Sequence, residues 1–285
     1  KITKGGICMN NFLTPREIAK AYDEISVNKA KNSASNLIIL GMLAGLFIAF
    51  AGFASQMISH SVENVGLAKF ASGAVFPVGL MLVVIAGAEL FTGNNLMIIG
   101  FMEKKISFAE LIRNWIIVYF SNFVGSVLFA FLIYGSGLLD TSGGLLGATV
   151  IKAAINKVSL TFNQGLIRGI LCNIMVVLAV WMATAAKDIV GKIFACWFPI
   201  MLFVMSGFEH CIANMYFIPA GIFAKSNPSY VAAGQIQAEA LARLNIGGLF
   251  GNLASVTLGN LIGGALVIGL SYWYVYRYTQ KVTNK

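Results

Sequence analysis

Long apolar runs with few charges alternate with short polar stretches along this chain of 285 residues. An apolar run of roughly twenty residues can cross the ~30 Å hydrocarbon core of a bilayer as a helix. Six such runs are predicted to span a membrane, near residues 36–58, 70–102, 110–138, 163–186, 190–224 and 246–276. The second and fifth runs are too long for one straight helix, so we expect a break in each.

Both long runs are interrupted by the same polar pattern, a Glu followed at the same spacing by an Asn. The pairs are Glu89 with Asn94 and Glu209 with Asn214. A carboxylate at the centre of a membrane helix costs roughly 2.5–3.5 kcal/mol even on the mild insertion scale. Irregular backbone is tolerated at membrane depth only where it faces protein or a water-filled cavity. The repeated pattern therefore predicts a transport site built from a duplicated unit with broken helices.

The duplication extends beyond the two breaks. Small residues recur in the same order in the other spans. Gly41-x3-Gly45 in span one matches Gly165-x3-Gly169 in span four, and segment 121–126 in span three matches segment 259–264 in span six. Small residues at such spacings let helices approach closely. With three spans in each half, the second half must be inverted relative to the first, which brings the two breaks together near the midplane. The predicted fold is therefore an all-α membrane protein of two inverted three-span repeats.

Composition supports a membrane domain and argues against other classes. The chain is 58% hydrophobic and 11% charged, and its mean hydropathy is +0.80, whereas soluble domains are about one quarter charged. The net charge of +9 does not indicate a nucleic-acid partner, because lysines and arginines concentrate at the chain ends and in short loops. Most of the 20 basic residues fall on the side that holds both ends. This bias predicts a multi-pass protein of the inner (plasma) membrane with both termini cytoplasmic.

An amphipathic segment precedes the first span. Thr14 and Glu17 have the spacing of a capping box around Pro15, and Ile18, Tyr22 and Ile25 then form one helix face. We expect this helix to lie on the cytoplasmic surface or to fold over the mouth of a pore. The predicted segments are an added or upstream extension (1–8), the amphipathic segment (9–35), a transmembrane channel domain (36–278) and a cytoplasmic tail (279–285).

Four motifs carry a family resemblance. They are Ala86-Gly87-Ala88-Glu89-Leu90-Phe91-Thr92-Gly93, Gly169-Ile170-Leu171-Cys172-Asn173, the segment 207–215 around His210, and Val256-Thr257-Leu258-Gly259-Asn260. With them the chain resembles the formate/nitrite transporter family over roughly residues 15–278, and within it most closely the hydrosulfide channel branch. The resemblance implies an aquaporin-like homopentamer in membrane lipid with one pore per protomer. It also implies permeation of hydrosulfide, formate or nitrite, with no cofactor.

The resemblance also implies roles for individual residues. His210 and Thr92 would face each other at the pore centre, Asn173 would lie nearby, and Lys157 would line the outer vestibule and raise the local anion concentration. His210 is the histidine that lies within an apolar span, and histidine can exchange a proton near neutral pH. The residues that would form the constrictions are Phe76, Leu80, Leu90, Phe91, Val176 and Phe203.

Dry apolar rings disfavour a bare charge, and two routes through them are open. The anion could cross stripped of water, assisted by the half-helix dipoles and His210, or it could take a proton near His210 and cross as the neutral acid. We favour the second route as a hypothesis.

The polar residues at the breaks are expected to have structural roles. We expect Glu89 and Glu209 to be tied to amide groups at the breaks, because carboxylates facing a pore would repel anions. We expect Asn94 and Asn214 to bond the backbone freed at the opposite break.

Alternative functions remain at this stage. The main role could be that of a formate or nitrite channel or a proton-coupled transporter. Lys157 and His210 argue against an aquaporin-like channel for neutral solutes. A membrane-embedded enzyme is disfavoured because the spans contain neither HExxH nor GxSG.

Overall fold

The structure is a computed structural model that describes residues 3–4, 7–8 and 11–279. Thr3–Lys4 and Ile7–Cys8 form a short antiparallel pair of strands, β1 and β2. Apart from these strands and Thr279, the predicted terminal segments 1–8 and 279–285 lie outside the described residues.

The remainder of the described chain is helical. The helices are α1 (Pro15–Lys31), α2 (Ala34–Ser59), α3 (Val65–Gly87), α4 (Ile98–Met102), α5 (Phe108–Gly135), α6 (Leu145–Val158), α7 (Phe162–Ala185), α8 (Ile189–Ser206), α9 (Cys211–Ala224), α10 (Pro228–Ala233), α11 (Ala238–Arg243) and α12 (Ile246–Tyr278). Short 3-10 helices lie at Gly93–Met97 and Leu138–Asp140.

Six helices within the described part, α2, α3, α5, α7, α8 and α12, are long and apolar enough to cross a membrane. They coincide with the six predicted spans, which are thereby confirmed. Helix α6 was not predicted. It packs against α9 and lies between the third and fourth spans.

Each of the two long spans breaks where the Glu-x4-Asn pattern predicts. Helix α3 ends at Gly87, whose φ is 93°, and α8 is followed by Gly207, whose φ is 72°. Glycine adopts this left-handed conformation without steric cost, so it commonly ends a helix. The chain then runs without helical structure through Glu89 and Glu209 before the second half-helix of each span begins.

The two halves pack internally in the same way. Helix α2 lies against α5 in the first half, and α7 lies against α12 in the second. A Cβ atom added at Gly45 would overlap the backbone oxygen of Asn122, and one added at Gly259 would overlap that of Leu166. This close backbone approach confirms the prediction made from the small-residue pattern.

Helix α1 folds across the face that carries both described chain ends. The predicted capping box is present, since Thr14 Oγ1 accepts from the Glu17 N–H and the Glu17 carboxylate accepts from the Thr14 N–H. Tyr22 is buried and stacks on Trp181 of α7, with ring centroids 5.9 Å apart. Farther along the helix, Asp23 pairs with Arg277 near the end of α12 at 2.7 Å. These contacts hold α1 against the membrane domain.

Candidate functional site

One asparagine holds the first break in place. The Oδ1 atom of Asn122 on α5 accepts the backbone N–H of Phe91 at 3.0 Å. Its Nδ2 donates to the carbonyl oxygens of Gly41 at 2.7 Å and of Glu89 at 2.9 Å. The side chain thus replaces the backbone bonds that the break removes, as buried polar groups require.

Asn260 on α12 does the same at the second break. Its Oδ1 accepts the N–H of Cys211 at 2.9 Å, and its Nδ2 donates to the carbonyl oxygens of Gly169 at 2.8 Å and Glu209 at 3.0 Å. Sequence reasoning noted the segments around both asparagines for their small residues, and the one around Asn260 also as a family motif, but assigned neither asparagine a role. A signal for their role was present, because each is an amide in an apolar span at a matching place in the two halves.

The Glu of the first break lies in a network with a lysine of α1. Glu89 accepts from Asn94 Nδ2 at 2.6 Å and from Lys29 Nζ at 2.8 Å. Asn94 Nδ2 also donates to Asn114 Oδ1 at 2.8 Å, and Asn114 Nδ2 donates to the Lys29 carbonyl oxygen at 3.3 Å. The first break is therefore tied to α1 through both a charge pair and side-chain amides.

The second break carries the same network. Glu209 accepts from Asn214 Nδ2 at 2.6 Å and from Lys157 Nζ at 3.1 Å. Asn214 Nδ2 donates to Asn252 Oδ1 at 2.8 Å, and Asn252 Nδ2 donates to the Lys157 carbonyl oxygen at 2.9 Å. Each Asn bonds the Glu of its own break, so the expectation that it would bond the opposite break was wrong.

Lys29 is a further residue whose role sequence reasoning missed. It precedes Ser33, the N-cap of the first span, by the same spacing as Lys157 precedes Thr161, the N-cap of the fourth. The internal repeat thus includes the helices before those spans, and this spacing could have revealed the equivalence of the two lysines.

Two cavities enter the molecule from opposite faces. A cavity of about 340 Å³ on the side of the chain ends is lined by Tyr22, Lys29, Glu89 and the apolar residues Leu80 and Leu90, among others. A cavity of about 250 Å³ on the other side has a different lining, which includes Lys157, Glu209, His210, Phe76 and Phe203. Both predicted Glu residues therefore face a cavity, each with its charge offset by a lysine.

A chamber of about 10 Å³ lies between the two cavities. Its lining is apolar except for one histidine and consists of Ile48, Phe76, Leu80, Leu90, Val176, Ile200, Phe203 and His210. It shares Leu80 and Leu90 with the first cavity and Phe76, Phe203 and His210 with the second. The three spaces therefore follow one another along a single path that narrows at the centre.

Five of the six predicted constriction residues line this chamber. The sixth, Phe91, is not in the lining of any of the three spaces. Its ring instead packs against those of Tyr119 and Trp115 on α5, with centroids 5.0 and 6.4 Å away. Phe91 thus supports the break from behind.

His210 is held in one tautomer by its two hydrogen bonds. Its Nδ1 accepts the backbone N–H of Ala213 at 3.2 Å, which makes His210 the N-cap of α9. An accepting Nδ1 carries no proton, so the hydrogen of the neutral ring is on Nε2 and is donated to Thr92 Oγ1 at 2.8 Å. The structure therefore joins His210 and Thr92 across the two halves.

Asn173 lies behind this pair and does not belong to the lining of the three spaces. Its Nδ2 donates to Asn95 Oδ1 and to the Asn260 carbonyl oxygen, both at 2.7 Å, and lies 3.4 Å from the Thr92 carbonyl oxygen. Through these contacts Asn173 positions the backbone that carries Thr92.

Two inverted halves, two broken helices and a narrow path between opposite cavities define a membrane transport protein. The sequence profile described as formate/nitrite transporter matches residues 16–274, and the chain belongs to that family. Its members are transporters and channels, so the chain is not an enzyme.

Similar proteins agree with this assignment. The chain is 41% identical to a probable formate transporter of Methanothermobacter thermautotrophicus, over 94% of this chain and 98% of that protein. It is 38% identical to the formate channel FocA of Escherichia coli strain K12, over 93% and 95% of the two chains. A solved structure described as a pentameric formate channel with formate bound superposes with a TM-score of 0.77 at 35% identity, covering 85% of this chain and 97% of that one.

Proposed function

We infer that the protein is a pore for small monovalent anions, with formate as the foremost permeant and hydrosulfide and nitrite as related permeants. The resemblance of the motifs favoured hydrosulfide as the main permeant, whereas the names of the relatives support formate. In this proposal the chain forms a homopentamer in the plasma membrane with both termini cytoplasmic, as the distribution of lysine and arginine favours.

The size and the apolar lining of the central chamber support the transport mechanism that we infer. A space of about 10 Å³ holds at most about one water molecule, which needs roughly 10–15 Å³. A hydrated anion must therefore shed its water among apolar side chains, where an unpaired charge is very unfavourable. The conjugate acid carries no charge and crosses the same chamber at far lower cost.

His210 is suited to exchange that proton because it is the titratable side chain in the lining of the chamber. In the proposed step, a protonated ring gives its Nδ1 proton to the anion while Nε2–H stays on Thr92. The anion becomes the neutral acid, and the neutral ring recovers the hydrogen bond from Ala213. Reprotonation of Nδ1 needs the release of that bond, so proton exchange is linked to the N-cap of α9.

The experiment compares two replacements of His210 in proteoliposomes. His210→Asn removes the imidazole but keeps an N-cap acceptor, since Asn is among the best N-cap residues, whereas His210→Leu removes both. Uptake of formate, nitrite and hydrosulfide is measured side by side across pH, together with the charge moved per anion. We expect both variants to change the pH dependence or the charge moved, with His210→Asn retaining the stability of the wild type.

The outcomes separate the parts of the proposal. Unchanged flux and pH dependence in His210→Asn would reject proton exchange at this residue. A wild-type protein that carries hydrosulfide or nitrite faster than formate would reverse the order of permeants.

A further inference from the structure

The hydroxyl groups that line the cavity beside Lys157 donate hydrogen bonds to backbone carbonyl oxygens. Ser55 Oγ donates to the Ser72 carbonyl at 3.0 Å, and Ser72 Oγ donates to the Ser55 carbonyl at 3.2 Å. Ser59 Oγ donates to the Ser55 carbonyl at 2.7 Å, and Thr149 Oγ1 to that of Leu145 at 3.0 Å. The Lys157 ammonium is paired with Glu209. The hydroxyl donors are therefore already occupied, as are two of the three N–H groups of Lys157.

Gln56 on α2 differs from all of them. It lines the same cavity and is 4% exposed. Its Oε1 accepts the hydroxyl of Tyr216 at 3.0 Å, and Tyr216 is fully buried. Because this bond occupies the amide oxygen of Gln56, the NH₂ group of the same side chain points away from Tyr216 and needs a separate acceptor. Over residues 11–279, Nε2 of Gln56 is a buried side-chain donor without a partner, and Gln56 is among the residues that line this cavity.

A buried N–H group without an acceptor destabilises the folded protein, so we expect a hydrogen-bond acceptor to bind at this site. The cavity also carries the Lys157 charge, so a permeating anion is the acceptor expected there. We propose that Gln56 Nε2 is an anion-recognition group of this cavity, donating a hydrogen bond to an oxygen of the permeant anion while Lys157 supplies the positive charge. This proposal rests on the proposed function, because it takes the permeant to be an anion.

The internal repeat makes this recognition one-sided. The sequence offset that relates Lys29 to Lys157 and the N-cap Ser33 to the N-cap Thr161 relates Gln56 to Thr184. The Thr184 hydroxyl donates to the Val180 carbonyl at 2.8 Å, so it is already occupied. The cavity on the side of the chain ends therefore lacks the equivalent free amide, and anions should bind more tightly on the Lys157 side.

The test measures labelled formate uptake by the full chain in intact cells and in inverted membrane vesicles, which expose opposite faces. Gln56→Met keeps the volume of the side chain and removes the amide. Loss of a hydrogen bond to a charged ligand should raise the half-saturating formate concentration about tenfold from the Lys157 side. From the other side we expect a change of less than about twofold.

Two further variants complete the test. Gln56→Glu keeps an acceptor for Tyr216 but places a carboxylate where the amide was, and we expect a larger loss of uptake than in Gln56→Met. Gln237→Met is the matched control, because Gln237 is exposed, does not line this cavity and makes no side-chain cap hydrogen bond, and it should behave as the wild type. If Gln56→Met does not yield folded protein, uptake by Gln56→Glu tests whether Gln56 recognises the anion.

Half-saturating concentrations that stay at the wild-type value in Gln56→Met or Gln56→Glu would overturn the proposal and indicate that a bound water satisfies the amide. A wild-type protein without saturable formate uptake would instead reject the proposed function. The two failures are thus distinguishable.

Discussion

Removal of the Lys157 charge should strongly weaken anion binding in its cavity, because Glu209 then remains as an uncompensated carboxylate. The two groups are 3.1 Å apart, and their side chains are only 16% and 7% exposed. For an anion about 6 Å from that carboxylate, an effective dielectric constant of about 20 gives a repulsion of about 3 kcal/mol. This energy corresponds to roughly a hundredfold lower occupancy. Lys157→Met should therefore raise the half-saturating formate concentration by about that factor in proteoliposome uptake assays.

The double variant Lys157→Met with Glu209→Gln provides the decisive comparison. It restores a neutral cavity and keeps an acceptor for Asn214, so uptake should recover to within about tenfold of the wild type. The reasoning would be refuted if Lys157→Met bound formate as the wild type does, or if the second substitution gave no recovery. The equivalent change on the other side, Lys29→Met, should have a smaller effect, because the Lys29 side chain is 26% exposed and better screened by solvent.

Three further predictions concern the scaffold. Asn122→Leu and Asn260→Leu should each destabilise the folded protein by about 2–5 kcal/mol, because each leaves buried backbone groups unsatisfied; thermal unfolding in detergent should show a lower midpoint for both. Gly45→Ala should prevent the close packing of α2 on α5 and reduce the yield of folded protein, whereas Gly251→Ala, with no atom near the added Cβ, should be tolerated. Hydrogen bonds from the Thr14 backbone and hydroxyl lower the pKa of the Glu17 carboxyl. The Glu17 carboxylate therefore stabilises the start of α1 at pH values above the ordinary pKa of Glu, and this stabilisation is lost as the pH falls through the lowered pKa. Hydrogen exchange in the first turn of α1 should show this loss relative to Glu17→Gln.

The spans and the breaks were predictable because they depend on local sequence. Apolar run length determines which helices cross a membrane, and Gly87 and Gly207 lie beside the polar patterns that interrupt two of them. The close approach of Gly45 and Gly259 to neighbouring helices also followed from the small-residue spacing.

The hydrogen-bonding partners were harder to predict because they depend on which helices meet in space. The partners of Asn94 and Asn214 lie on α5 and α12, and Lys29 reaches its Glu from α1. Single-sequence periodicity gives no information about such contacts. Only comparison of the two halves could have paired Lys29 with Lys157.

Phe91 shows a second limit. It is adjacent in sequence to Leu90, which lines the chamber, yet its ring points toward α5. At a break the chain has neither the helical nor the strand period, so the side on which a residue lies cannot be inferred from its neighbours.

The most direct test of the anion pore is the uptake of formate and of glycerol by proteoliposomes that contain the purified protein, compared with protein-free vesicles. The account predicts saturable formate uptake that is diminished in Lys157→Met, with glycerol permeability no greater than that of the lipid alone. Glycerol passage at a rate comparable to that of formate, or formate uptake equal to that of empty vesicles, would contradict it.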